Sequence, residues 1–245
     1  MVRQVTASAR GAGRLQPDVF VWLAAIAVAW IAAYWLEVSG AAHLLHHHTI
    51  FHSGQLLVGG LALLGAWQVM TAAMMLPGAL PALVRISGPT AQLAFIAVYA
   101  LTWTGFALVA FVGDMGLHAL VHGWSPAAQH EKLIPAMVFG LAAAYQFSPW
   151  KGASLCACRQ PATILSRYQG GGLAETVMAG FSYSRQCLTS GWALMLIMFS
   201  AGVANMAWMV ALALVMVAEK TLPSGDRFRY PVGAALALVA LGALL

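Results

Sequence analysis

Charge is what this sequence has least of: Asp, Glu, Lys and Arg make up 8% of its 245 residues, against roughly a quarter in soluble domains. A water-facing surface cannot be assembled from so few charges, which excludes an ordinary soluble domain. Cysteine is scarce as well, at three residues, and that excludes a disulfide framework. There is no phosphate loop, dinucleotide fingerprint, nucleophile elbow or zinc-protease helix, each of which needs a fixed spacing absent here. The net charge of +5 does not point to nucleic acid, because the basic residues are scattered over separate short segments instead of forming one patch.

What is abundant is apolar sequence, at 61% of the chain. A helix needs about 20 mostly apolar residues to cross the hydrocarbon core, and the charge-free runs can be read as spans on that basis. They predict an all-α fold, a polytopic transmembrane helical bundle of about seven spans forming a single integral membrane domain over 1–245. Pro17 and Asp18 suit a first helical turn, where a missing N–H costs nothing and a carboxylate meets the positive end of the dipole. The first span is expected from Val19 to Leu36, followed by Gln55 to Leu76, Ala91 to Val112 and Leu133 to Phe147. The apolar stretch from Gln186 to Ala218 is too long for one crossing and has Gly202 and Asn205 near its middle, so it predicts a helical hairpin. Pro231 opens the seventh span, which at about 1.5 Å per residue only just crosses before Leu245.

Arg3, Arg10 and Arg14 precede the first apolar run in the manner of a secretion signal. That run is long enough to span and no small-residue cleavage site follows, so it is expected to stay as a helix behind a tail of residues 1–16. Cytoplasmic loops carry an excess of Lys and Arg. With the N-terminus cytoplasmic, Arg3, Arg10, Arg14, Arg85, Lys151, Arg159, Arg167, Arg185, Lys220, Arg227 and Arg229 fall inside, and only Lys132 falls outside. The expected location is a bacterial inner membrane, crossed several times and in contact with lipid. Residues 148–185, with Gly170-Gly171-Gly172, form the one long polar stretch and predict a cytoplasmic loop with one short surface helix.

The same topology puts all eight histidines on the outer side. The first outer segment reads His43-Leu44-Leu45-His46-His47-His48-Thr49-Ile50-Phe51-His52; the second places Asp114, His118 and His122 at steps of four, with His130 beyond. Residues four apart share a helix face, so His43 with His47, His48 with His52, and the Asp114 trio can each converge on one ion. Imidazole suits copper, zinc, iron and nickel. The expected metal ligands are His43, His46, His47, His48, His52, Asp114, His118 and His122, with copper the expected ion and zinc or iron the alternatives. Surface decoration or pH sensing is the plainer account of any single histidine.

Methionine is the second enriched type: Met70, Met74 and Met75, then Met195, Met198, Met206, Met209 and Met216. Thioethers are soft ligands for Cu(I), and they are also flexible core fillers. Trp67, Trp192 and Trp208 are expected to pack between helices or at an interface. Cys156, Cys158 and Cys187 lie toward the cytoplasmic side, where a reducing environment disfavours disulfides. Cys156-Ala157-Cys158 is open to two readings, a soft-metal pair beside Arg159 or free structural thiols.

Several strings resemble a bacterial family of predicted metal-binding integral membrane proteins, some of whose members are described as copper chaperones. They are Trp67-x-x-Met70-x-x-x-Met74-Met75-x-Pro77-x-x-x-Pro81, Tyr145-Gln146-x-x-Pro149-x-Lys151, Cys158-Arg159-x-Pro161, Cys187-x-x-x-x-Trp192-x-x-Met195 and Asn205-Met206-x-Trp208-Met209 followed by Glu219-Lys220. The chain resembles a divergent member, with Ser154, Ser190 and Gly191 where the family pattern has cysteines. The outer histidines are not part of the resemblance. It implies a copper-handling role with a protein partner.

Three functional readings follow. The first is a non-enzymatic membrane protein that binds copper at the outer histidines and holds it or delivers it to a partner; transport would need more polar groups through the bilayer centre than the spans offer. The second is a non-catalytic subunit of a larger membrane metalloenzyme such as a monooxygenase or oxidase, since Ala- and Gly-rich spans allow close contacts between chains. The third is a membrane di-iron oxygenase, because His43-x-x-His46-His47 and His118-x-x-x-His122 look like histidine boxes; those boxes face the cytoplasm, and the charge rule puts these outside.

Overall fold

The structure, a computed structural model, describes residues 17–40, 56–123, 133–168, 172–201 and 205–244. Among these residues there are nine helices and no strand. They are α1 (Pro17–Val38), α2 (Leu56–Leu83), α3 (Pro89–Gly123), α4 (Leu133–Phe147), α5 (Pro149–Arg159), α6 (Pro161–Leu165), α7 (Leu173–Ala201), α8 (Met206–Thr221) and α9 (Gly225–Leu244). The fold is all-α.

By length and composition, four of the described helices can cross a membrane: Val19–Val38, Val58–Leu83, Pro89–Leu117 and Gly225–Leu244. Seven spans were expected, and the difference has physical causes. Helices α4 and α8 have 15 and 16 residues, about 22–24 Å at 1.5 Å per residue, short of a hydrocarbon core of about 30 Å. Helix α7 has the length, at 29 residues, but Glu175, Arg185 and several hydroxyl side chains dilute its apolar character. The last helix starts at Gly225, not Pro231, and so gains a full crossing. The stretch from 148 to 185, expected to be mainly loop, is mostly helical in its described part: it holds α5 and α6 and nearly half of α7.

Helix α2 runs on through Pro77 and Pro81 to Leu83, beyond Leu76, where the second span was expected to end. Proline removes a backbone donor and disturbs the preceding turn. Packing holds this stretch in place: Tyr99 Oη of α3 donates to the Met75 carbonyl at 3.4 Å and Tyr183 Oη of α7 to the Gly78 carbonyl at 3.0 Å.

Two helices organise the packing. Helix α2 lies against α1, α3 and α8, and α7 lies against α3, α4, α5, α6 and α8. Their shared core contains Trp67, Met70, Met74, Met75, Phe95, Trp103, Cys187, Met195 and Met198. Trp67 Nε1 donates to the Trp103 carbonyl at 3.0 Å, which satisfies a buried indole. The outward faces are apolar: Leu101, Val109 and Leu238 are 69%, 73% and 70% exposed. Polar Gln92, Gln146, Lys151, Ser184 and Glu219 are buried instead. This pattern suits a bundle whose surroundings are lipid, where interior polar groups must find protein partners.

Helices α1 and α3 run in the same direction. Trp22 Nε1 donates to Gln92 Oε1 at 2.8 Å near their starts. Farther along, Leu36 and Phe111 both pack against Leu63 and Ala66 of α2.

Helix α9 packs closely on α4 because Gly233 carries no side chain. A β-carbon there would lie 2.8 Å from Phe147 Cε2 and 2.9 Å from Gln146 Cβ. Gly233→Val is expected to lower stability by about 1–3 kcal/mol, the usual cost of overpacking, visible as a reduced melting temperature of the detergent-solubilised protein.

Candidate functional site

The most heavily connected polar point lies at the C-terminal turn of α8, where Glu219 and Lys220 stand side by side. Consecutive helical residues project in different directions, so the two side chains serve separate neighbours.

Glu219 reaches α5. Its Oε2 meets Lys151 Nζ at 2.8 Å, with the side chains 2% and 1% exposed, and Gln146 Nε2 donates to Oε1 at 3.1 Å. The sequence places Lys151 there by ordinary helix rules. Ser148 is the N-cap of α5, accepting from the Trp150 N–H, and Pro149 opens the helix. Lys151, Ser154, Leu155 and Cys158 then form the buried face at helical spacing. Arg159 closes the clamp by donating from Nη1 to the Glu219 carbonyl at 2.8 Å and from Nη2 to the Pro223 carbonyl at 3.0 Å. Arg229 of α9 donates to the Ser148 carbonyl at 2.7 Å. Burial pushes the Lys151 ammonium below the ordinary lysine range, and the Glu219 carboxylate opposes that shift without cancelling it.

Lys220 points the other way, into sulfur. Its Nζ donates to Cys187 Sγ at 2.9 Å. Tyr99 Oη lies 3.0 Å from the same sulfur. The lysine stem passes over Gly78, where a β-carbon would come within 2.8 Å of Lys220 Cδ. Cys158 Sγ lies 3.8 Å from Ser190 Oγ, which donates to the Cys187 carbonyl at 2.9 Å. One turn further along α7, Gly191 leaves a gap over which Met75 Cε and Met216 Sδ come to 3.0 Å and 3.8 Å from the β-carbon position. Cys158 and Cys187 are buried and Cys156 is exposed, none in a disulfide. The structure thereby separates Cys156 from Cys158 and brings Cys158 to Cys187.

Of the ligands expected from the sequence, Asp114 is the one whose side chain is described. It borders a cleft of about 520 Å³ between α3, α4 and α7, with Gly113, Leu117, Ile134, Leu196 and Ser200. Helix α3 continues to Gly123, so the backbone at positions 114, 118 and 122 belongs to one helix. The side chains of His118 and His122 lie outside the described residues, as do His43, His46, His47, His48, His52 and His130. Among the described residues, no three His, Cys, Asp or Glu side chains gather as a metal group.

Sequence reasoning noticed Met75, Cys158, Cys187, Met216 and Lys220 singly and missed their convergence. The available signal was Lys220 itself, an ionisable residue closing an apolar helix, which in a membrane setting marks a functional position with a partner.

The fold and this centre define a helical protein with several membrane-length apolar helices and a buried thiol and thioether centre. The chain belongs to the PpoB2 copper chaperone family, whose model matches residues 64–243. No curated protein and no solved structure matches it. Membership gives the protein a copper-related accessory role and implies a protein partner.

Removing the Glu219 charge by Glu219→Gln leaves the buried Lys151 uncompensated. The expected cost is about 3–5 kcal/mol, whereas the double variant Lys151→Met, Glu219→Met should lie close to wild type or above it. Thermal unfolding of the purified single and double variants measures both.

Proposed function

We propose that the protein is a multi-pass copper chaperone of a bacterial inner membrane, which captures copper at outer-face histidines and holds it or delivers it to a protein partner. Family membership supports copper. The observation that carries the outer-face site is the shared direction of α1 and α3. Their C-terminal ends, Val38 and Gly123, flank the two histidine-bearing segments and lie at one end of the bundle. Glu37 Oε1 at that end also accepts from the backbone N–H of Met206, at the start of α8. Lys151, Arg159, Lys220 and Arg229 cluster around the far end of α8 and the start of α9. That distribution favours a cytoplasmic basic end and an outer histidine end.

In this reading α4, α7 and α8 lie within the bilayer as inner helices packed among the four membrane-length helices, with a cytoplasmic N-terminus. Helix α3 spans about 50 Å over its 35 residues at 1.5 Å per residue. Its last turns, with Asp114, His118 and His122, therefore extend past the hydrocarbon core. His43, His46, His47, His48 and His52 complete the ligand set from the other segment. Holding and delivery fit better than transport, because the described helices show no continuous polar path.

Copper content per purified chain tests the capture site. Replacement of the seven histidines 43, 46, 47, 48, 52, 118 and 122 by alanine is expected to remove at least one equivalent; unchanged stoichiometry in a folded variant would remove the outer site.

A further inference from the structure

We propose that Cys158, Cys187, Met75 and Met216 form a second, buried site for a soft monovalent ion, Cu(I), with Lys220 holding positive charge against the sulfur when the ion is absent. The inference rests on the copper reading and adds to it a place and an oxidation state.

The four donors come from four helices: Met75 from α2, Cys158 from α5, Cys187 from α7 and Met216 from α8. Bundles build metal sites in this way, from side chains on facing helices. All four are buried, with Met75 and Cys187 fully enclosed, so water does not compete for the ion. Thiolate and thioether donors select Cu(I) over harder divalent ions. Ser190 Oγ links the two cysteines, lying 3.8 Å from Cys158 Sγ and donating to the Cys187 carbonyl at 2.9 Å, and the thiols are not joined in a disulfide. The thioethers meet in the gap left by Gly191, one turn from Cys187, and a side chain at 191 would close that gap, since Met75 Cε already lies 3.0 Å from its β-carbon position.

Ordinary core filling accounts for methionines and for small thiols. It does not account for an ammonium brought 2.9 Å from a buried sulfur. Burying a charge is expensive unless it is paired. The carboxylate beside it, Glu219, is committed to Lys151. Cys187 is thus the group that receives the Lys220 charge, with Tyr99 Oη as its second polar partner. A bound Cu(I) brings its own positive charge to the same sulfur, and Lys220, on the last turn of α8, is released to move away over Gly78. No electron transfer is involved, because the ion enters already reduced.

The test uses the full-length protein in detergent, without oxygen, titrated with Cu(I) against a chromophoric Cu(I) chelator. Wild type should retain Cu(I), and so should a variant lacking the outer histidines. Cys187→Ser and Cys158→Ser should each weaken retention by at least the roughly tenfold that loss of even an outer partner costs. The volume-conserving pair Met75→Leu, Met216→Leu should keep the fold and still weaken retention; it decides the matter if the serine variants unfold. Equal retention by wild type and the methionine variant would overturn this site. If the histidine variant alone loses the ion, the buried site fails and the outer reading stands. If wild type retains no copper of either oxidation state, the copper reading itself fails.

Discussion

The architecture depends on two opposite commitments made at one helical turn. At the end of α8, Glu219 turns toward Lys151 and Lys220 turns toward Cys187. The first ties down the amphipathic helix α5, which would otherwise present a cation to an apolar interior. The second puts a cation against sulfur at the junction of α2, α7 and α8. Paired in this way, neither charge is left exposed to the low-dielectric interior, where an isolated ion costs several kcal/mol. Gln146, Arg159 and Arg229 add hydrogen bonds that join α4, α5, α8 and α9 at the same end.

The helical class was legible in the sequence because scarcity of charge and long apolar runs leave few alternatives. Three of the four helices that meet membrane length and composition follow apolar runs plain in the sequence, and the fourth gains its length from the charged turn that precedes Pro231. Helices α4 and α8 were read as spans on apolarity, yet their lengths fall short. Helix α7 starts at Leu173, with Glu175 in its first turn where a carboxylate meets the positive end of the dipole, although a hydropathy reading treats this stretch as loop. The second span was expected to end at Leu76, and α2 instead continues to Leu83 in a stretch packed under Tyr99 and Tyr183.

Less of the sulfur centre was legible. Cys158, Cys187, Met75 and Met216 are 29 residues or more apart from their nearest partner in the chain, and no local spacing links them. Only the packing of α8 against α2, α5 and α7 brings them together. The opposite holds for the histidines. Their spacing within each segment is plain in the sequence, and what the structure contributes is the parallel course of α1 and α3, which lead to those segments at one end.

The proposed outer nitrogen donors and buried sulfur donors divide the work by chemistry. Exposed imidazoles can take copper from a wet phase, and buried soft donors can keep it monovalent and shielded. The most direct measurement is the X-ray absorption spectrum, at the copper edge, of full-length protein purified from copper-supplemented cells. The account predicts stoichiometric copper, largely monovalent, with sulfur among its nearest neighbours. Copper surrounded by nitrogen and oxygen alone, or a protein that carries zinc or iron in its place, would contradict it.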